Sequence, residues 1–368
     1  MSQRAEKTEG RQSPFKGLRV CMVAPYLPKK GGVTVQTHLM VDGLEREGAE
    51  VVRIDTILHS LNHRLLLPLR IPLQALVTAA RFLKHGRRCD IVHIQACSWW
   101  GFLPVFVVGP LNKWLTKKRF VISFHGGGGP IWIAKYKRLV LPYLRMADSV
   151  VVVSTKIQEA FVKHGIDAKI LWNLVDIDRF AFRERKAAKP NLVWIRHFED
   201  VYDPLTALEV FAKVKRVIPE ASITFIGDGS LKSEMDKFIS SNRLSDVRFT
   251  GRLANDAVPK IYEEVDIFLN TSKRDGLPTA LLEANASGLP IVTTDAGSIP
   301  DMMDGGKAGV VLGIGDADAL ANAVIELVRN PEKTHNLSVW GRRNAEKYSW
   351  RRCAQDLIVH YGLQAFGR

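Results

Sequence analysis

Ser272-Lys273-Arg274-Asp275-Gly276-Leu277-Pro278-Thr279-Ala280-Leu281-Leu282-Glu283-Ala284 follows an apolar run, Asp266-Ile267-Phe268-Leu269-Asn270, which predicts a buried parallel strand. A glycine turn comes next, then Pro278 where a first helical residue belongs, then a helix over Thr279 to Ser287. Strand, turn and helix start together present bare backbone N–H groups and the positive end of a helix dipole at the strand's carboxyl edge. Such a place suits a phosphate or a ring of hydroxyls. Asp275 in the turn and Glu283 about one turn into the helix bracket it. A carboxylate accepts two hydrogen bonds from a vicinal diol, so a sugar or ribose is the natural ligand. The same pattern also fits an ordinary βα unit with solvated acids, and the remainder of the chain decides between the two.

Outward from this stretch the alternation of strand and helix continues. Towards the C-terminus come a strand at Pro290 to Thr294, a helix at Asp318 to Val328 and a helical stretch from about Glu332 to the end. Towards the N-terminus lie strands at Leu192 to Arg196, Ile223 to Gly229 and Val247 to Gly251, separated by helices at Leu205 to Ile218, Leu231 to Ser240 and Ala257 to Glu264. The charged, proline-bounded segment Arg179 to Pro190 reads as a linker. Before it the first half opens with strand Leu18 to Ala24, glycine turn Lys29 to Val33, helix Thr34 to Glu47 and strand Glu50 to Ile54. Further strands follow at Ile91 to Ile94, Phe120 to Phe124, Ser149 to Ser154 and Ala168 to Asn173. The prediction is an α/β protein of two doubly wound domains, 17–185 and 186–349, facing each other across a cleft. Residues 1–16 are expected to be a flexible tail, and a C-terminal helix of about 350–368 to pack back on the first domain.

Composition narrows the chemistry. A chain of 368 residues with 46% hydrophobic and 24% charged residues is that of a globular protein with room for two cores. No signal peptide is visible at the polar start, and the scattered Cys21, Cys89, Cys97 and Cys353 read as reduced thiols, which predicts a cytoplasmic protein. Charge is uneven. Residues 1–185 hold 29 Lys and Arg against 14 Asp and Glu, while the rest holds 23 against 24. The first half therefore expects an anionic partner: nucleic acid, a membrane surface or a phosphorylated substrate. No nucleic-acid motif accompanies the charge, which sets nucleic acid aside.

The turn at Gly31-Gly32 lacks a full GxGxxG, so a nicotinamide or flavin cofactor is poorly supported, although the paired glycines let backbone approach a phosphate. His125 leaves a buried strand into four glycines, Gly126 to Gly129, a place where such sheets do chemistry. The triplets Asp176-Ile177-Asp178 and Asp316-Ala317-Asp318 lack the strand context of a metal–nucleotide site and read as structural, the second as a helix cap.

Taken in order, Gly31-Gly32-Val33, His125-Gly126, Asn173-Leu174-Val175-Asp176 with Phe180, Arg196, Gly227-Asp228-Gly229, Phe249-Thr250-Gly251, Asp275-Gly276-Leu277-Pro278 with Leu282-Glu283-Ala284, and Ala286 to Val292 resemble the family 4 (group 1) retaining glycosyltransferases of GT-B fold. The resemblance spans about residues 17 to 360. It implies a nucleoside-diphosphate-sugar donor held mainly by the second domain and a carbohydrate or lipid-linked acceptor held mainly by the first. It implies ribose recognition by Glu283, with Asp275 near the transferred sugar and Gly276, Leu277 and Pro278 in the donor loop. It implies Arg196 against the diphosphate, Gly32 meeting the phosphates from the other side, and His125 near the reaction centre. No metal and no other cofactor is expected. Two departures stand out. Family members usually carry Glu where Asp275 stands, and a lysine five or six residues after Arg196 is replaced by Val201-Tyr202-Asp203-Pro204. Lys273 or Arg274 is the candidate to supply that charge. The departures keep open an alternative, a catalytically weakened family member acting as a binding or scaffold subunit.

Finally, no acid occurs between Asp55 and Asp90, while Arg64, Arg70, Arg81, Lys84, Arg87 and Arg88 accumulate among leucines. Lys117-Lys118-Arg119 follows Trp99, Trp100, Phe102, Phe106 and Trp114. Basic residues beside leucine and tryptophan predict peripheral docking on the anionic inner face of the cytoplasmic membrane. Pro68 and Pro72 are expected to prevent helix before about residue 73, and the stretch from Trp99 to Leu115 is too short and too interrupted to span a bilayer.

Overall fold

The computed structural model describes residues 13–26, 32–57, 67–126, 128–254, 256–275 and 278–363. They form two compact units, one comprising Met1–Leu171 with Cys353–Arg368 and the other Trp172–Arg352. Each is built on a six-stranded sheet in which every pairing is parallel, flanked by helices.

The first sheet contains β1 (Arg19–Ala24), β2 (Glu50–Asp55), β3 (Ile91–Cys97), β4 (Arg119–His125), β5 (Ser149–Val152) and β6 (Ala168–Ile170), in the order β2-β1-β3-β4-β5-β6. Its two faces differ. Val92, Ile94, Ala96, Phe120, Ile122 and Phe124 point into one hydrophobic core. The alternate positions His93, Gln95, Ser123 and His125 are polar yet buried. His93 shows how that face is satisfied, with Nδ1 2.8 Å from Tyr361 Oη and Nε2 2.7 Å from Ser123 Oγ. Tyr361 belongs to the C-terminal helix Trp350–Tyr361 and meets Phe15 edge to ring. Phe15 is 1% exposed, so the fold begins within the segment expected to be a tail.

The second sheet contains β7 (Asn191–Ile195), β8 (Ser222–Ile226), β9 (Val247–Phe249), β10 (Ile267–Asn270), β11 (Ile291–Thr294) and β12 (Val310–Leu312), in the order β12-β11-β10-β7-β8-β9. Both faces are apolar. Leu192, Trp194, Ile267 and Leu269 enter one cluster, while Val193, Phe268 and Ile291 enter another. Continuous hydrophobic strands buried on both sides are what parallel sheets require.

Two expectations need correction. Arg179 to Pro190 is not a free linker: the units divide at Leu171/Trp172 and at Arg352/Cys353. Arg185 within that segment is 2% exposed, and its guanidinium donates to the carbonyls of Arg183, Ser287, Tyr262 and Val265 while Asp266 lies 3.5 Å away. Five donors on a planar fork let a charge be buried where its neighbours offer carbonyls, a pairing that local composition does not reveal. The helix Leu67–His85 runs through Pro72, so the prolines did not delay it. Pro68 occupies the first turn, where its missing N–H forfeits nothing, and Pro72 forfeits one bond in a long helix.

Candidate active site

In the second sheet β7 and β10 are neighbours, but the chain leaves β7 towards β8 and β10 towards β11, on opposite sides. Where connections diverge in this way, a crevice opens beyond the strands' carboxyl ends. Arg196 is the first residue beyond β7, and the stretch from Thr271 to Asp275 follows β10. They meet there: Arg196 Nη2 lies 3.2 Å from Asp275 Oδ2, with both side chains largely shielded from water. The guanidinium also sits over the Tyr202 ring, 5.9 Å from its centroid. Its Nη1 donates to the Ile195 carbonyl, and its buried Nε has no hydrogen-bond partner among the described residues.

Glu283 joins this pair from the helix Thr279–Ala286. Burial raises the Glu283 pKa, and the positive charges of Arg196 and Arg179 pull it back down. Tyr262 feels the same two groups: burial and then Glu283 raise its pKa, and Arg196 opposes them. Arg196, Asp275 and Glu283 thus form one electrostatic cluster.

Two glycines make the cluster's geometry available. A Cβ on Gly227, whose φ is +142°, would stand 1.9 Å from the Arg196 carbonyl oxygen. A Cβ on Gly297, at φ +61°, would stand 1.7 Å from the Asp275 carbonyl oxygen. Each backbone approach excludes any side chain. The loop after β10 is also tied from below. Thr271 Oγ1 accepts from the Trp194 indole at 3.0 Å and donates to the carbonyls of Tyr202 and Asp203, and Thr294 Oγ1 donates to the Ser272 carbonyl.

The position of the missing lysine lies against the two candidate substitutes, since the Val201 carbonyl accepts from the backbone N–H of both Lys273 and Arg274. Their side chains differ. Lys273 Nζ is 2.8 Å from Asp200 and 3.5 Å from Asp203, and the Asp200 hydrogen bond raises its pKa first of all. Arg274 is exposed, with no acidic partner among the described residues. Pro278 stands one residue before the helix, capping it in an extended conformation, and Gly276 and Leu277 lie outside the described residues.

His125 ends β4 in the first unit, in register with Cys97 of β3. It is buried, and its Nε2 is hydrogen-bonded to Gln95 Oε1, which assigns the ring proton to Nε2. Gln95 in turn points its Nε2 at the sulfur of Met40, 3.2 Å away. Beside this strand end the buried hydroxyl of Ser98 has no partner among the described residues. Gly32 is exposed and opens the helix Gly32–Arg46, with Gly31 outside the described residues. Asp316 caps the helix Ala317–Arg329 by accepting from the Ala319 N–H at 2.9 Å. No group of three or more His, Cys, Asp or Glu placed to hold a metal occurs among the described residues.

Of the residues singled out in the sequence, the structure brings Arg196, Asp275 and Glu283 together and places His125 in the first unit. Sequence reasoning missed Gly297, Gln95 and the Thr271 tether, which no local pattern marks because each acts through a residue distant in the chain.

Comparison with known proteins bears on the fold and the family. The model of glycosyl transferases group 1 matches residues 176–344, and that of glycosyltransferase family 4 matches residues 20–179. The sulfoquinovosyl transferase SQD2 of Arabidopsis thaliana is 30% identical over 60% of this chain and 46% of its own length, so the chain spans about half of that relative. A GDP-mannose-dependent alpha-mannosyltransferase of Mycobacterium tuberculosis is 25% identical over 94% of this chain and 96% of its own. Among solved structures, HepE of Anabaena in complex with UDP and glucose superposes with a TM-score of 0.69 at 16% identity, over 94% of this chain and all of that one. With two six-stranded parallel sheets and both family models in sequence, the chain belongs to the family 4, group 1 glycosyltransferases of GT-B fold.

Proposed function

We propose that the protein transfers a sugar from a nucleoside-diphosphate-sugar to an acceptor hydroxyl with retention of configuration, the donor seated on the second unit. One observation carries the donor assignment. A guanidinium, largely buried at the sheet's switch point, is ion-paired to Asp275, and its Nε and Nη2 have no hydrogen-bond partner among the described residues. A diphosphate oxygen is the partner such a donor lacks. As the anomeric C–O bond to the diphosphate breaks and a bond to the acceptor oxygen forms, negative charge grows on the leaving group. Arg196 is placed to meet it, with exposed Arg274 as the second cation and no metal in the scheme. Glu283 accepts the ribose hydroxyls and Asp275 orients the transferred sugar. The relatives named for GDP-mannose dependence and the neighbour holding UDP support a nucleotide donor.

The acceptor belongs to the first unit, with His125 at its strand edge, and is carbohydrate or lipid-linked. The helix Leu67–His85 supports an anionic membrane surface as the working place. It buries Thr78 and Phe82 but exposes Leu73, Leu76, Ala80 and Leu83, a solvent-facing stripe at helical spacing beside Arg81 and Lys84. No helix among the described residues is long and apolar enough to cross a membrane. Calorimetric titration with UDP, GDP and ADP, followed by donor hydrolysis, tests the donor reading, and failure to bind any of them at millimolar concentration would contradict it. Co-sedimentation with liposomes of rising anionic fraction tests docking, and binding indifferent to lipid charge and salt would exclude it.

A further inference from the structure

The first unit carries an apolar groove that the transfer reaction as described does not use. Trp99, Trp100, Leu103 and Phe106 form one wall, and Tyr136 and Leu139 the other, over the buried Trp132. Its volume is about 340 Å³, which is the size of a small-ligand site (~300–1,000 Å³). The only polar side-chain atoms among the lining residues are the Tyr136 hydroxyl and the indole nitrogens of the three tryptophans, and no charged residue lines it.

Several features say that this groove is not leftover core. Trp99 and Trp100 are 60% and 69% exposed and Leu139 is 55% exposed, although Phe102 and Val140 close by on the same elements are buried. Trp99 holds its ring against Tyr136, 5.2 Å between centroids, from a left-handed backbone at φ +60°. A bulky residue is rare there, and the fold must over-determine it. The groove also begins at the acceptor edge. Trp99 stands two residues beyond Cys97, the register partner of His125. Trp132 stacks on Phe124, the residue before His125, at 5.4 Å.

Charge identifies the occupant. Between Asp90 and Asp148 there are eight Lys and Arg and no Asp or Glu. Lys135 lies 6.0 Å from the Trp99 ring centroid and 5.5 Å from that of Tyr136, at the groove's rim. Lys137 and Arg138 beside it are exposed, and none of the three has an acidic partner among the described residues. Apolar walls with an unpaired cationic rim match an amphiphile with an anionic head. We propose that the groove seats one hydrocarbon chain of an acceptor lipid whose headgroup carries a phosphate, leaving the head at the β3–β4 carboxyl edge. The proposal rests on the lipid-linked form of the acceptor reading above.

The test is tryptophan fluorescence of the full chain titrated with monomeric n-alkyl phosphates of increasing length. Affinity should rise about fourfold per added methylene, the usual yield of removing one from water, until the groove is full. Leu139→Glu should abolish that length dependence, and Trp100→Ala should weaken it. Both positions are exposed, so both variants should keep wild-type circular dichroism. Affinity indifferent to chain length, equal affinity in Leu139→Glu, or equal affinity for the uncharged n-alkanols would overturn the proposal. So would a concentration-dependent dimer that Leu139→Glu disrupts, because the groove would then be covered by a second copy. Nucleotide titration of the same samples keeps the readings separate. Loss of nucleotide binding in every sample would sink the donor assignment alone, and an intact nucleotide isotherm with no chain-length dependence would sink the groove alone.

Discussion

The two sheets share strand number, parallel pairing and a reversal in strand order, yet they finish their carboxyl edges with different chemistry. The second sheet is apolar on both faces and concentrates its charge in Arg196, Asp275 and Glu283 where the connections diverge. The first sheet places polar residues inside one face and hydrogen-bonds them to one another, His93 with Tyr361 and Ser123, and His125 with Gln95. Burial holds His93 down to about 3, so it stays uncharged at neutral pH. A charged edge suits a ligand that brings opposite charge and builds more during reaction. A hydrogen-bonded edge without an acid suits one that brings hydroxyls.

The largest effect that bears on this contrast is expected at Arg196. If it meets charge mainly as the donor bond breaks, Arg196→Ala should lower kcat by about 10²–10³, or roughly 3–4 kcal/mol, with little change in donor KM. A change confined to KM would reduce Arg196 to a ground-state binding group.

The first sheet should respond to acid through its buried histidine. The folded pKa of His93, about 3, lies below the unfolded value of 6.5. The unfolded chain therefore takes up the proton first as pH falls. Stability is intact above about pH 6.5 and declines between there and pH 3, by an amount on the order of a few kcal/mol. Chemical denaturation across this range should show the decline in wild type and a flatter profile in His93→Gln. Identical profiles would mean that other groups carry the acid response.

At Glu283 the second sheet should also weaken on acidification, but in ligand binding and not in stability. Glu283→Ala should weaken nucleotide affinity ten- to hundredfold, about 1.5–3 kcal/mol, as loss of charged hydrogen bonds does. Because burial raises its pKa, wild-type affinity should begin to fall on acidification above the usual carboxylate range, and Glu283→Gln should remove that inflection. The smallest effect separates two adjacent cations. Arg274→Ala should lower kcat several-fold, about 1 kcal/mol, whereas Lys273→Ala, already paired with Asp200 and Asp203, should change it less. The reverse order would assign the second cation to Lys273.

Much of this was legible in the sequence, because alternating strand and helix leave strong local signals. The apolar run before Ser272, the glycine turn and the helix after it announced the crevice at which Arg196 and Asp275 meet. What escaped was long-range. Arg185 looked like a linker residue because its carbonyl partners come from Tyr262, Val265 and Ser287, far along the chain. Gly297 carries no motif, and only the approach of the Asp275 carbonyl explains it. Pro72 argued for a break that the helix Leu67–His85 absorbs. The polar face of the first sheet was hidden because His93, Gln95 and Ser123 pair across strands and with the last helix.

The central claim is that the charged edge of the second sheet binds the donor's nucleotide. Calorimetric titration of wild type and Glu283→Ala with UDP, GDP and ADP tests it most directly. Wild type should bind at least one of the three, and Glu283→Ala should bind that nucleotide ten- to hundredfold more weakly, by about 1.5–3 kcal/mol. Equal affinity in both proteins, or no binding by wild type at millimolar nucleotide, would contradict the assignment.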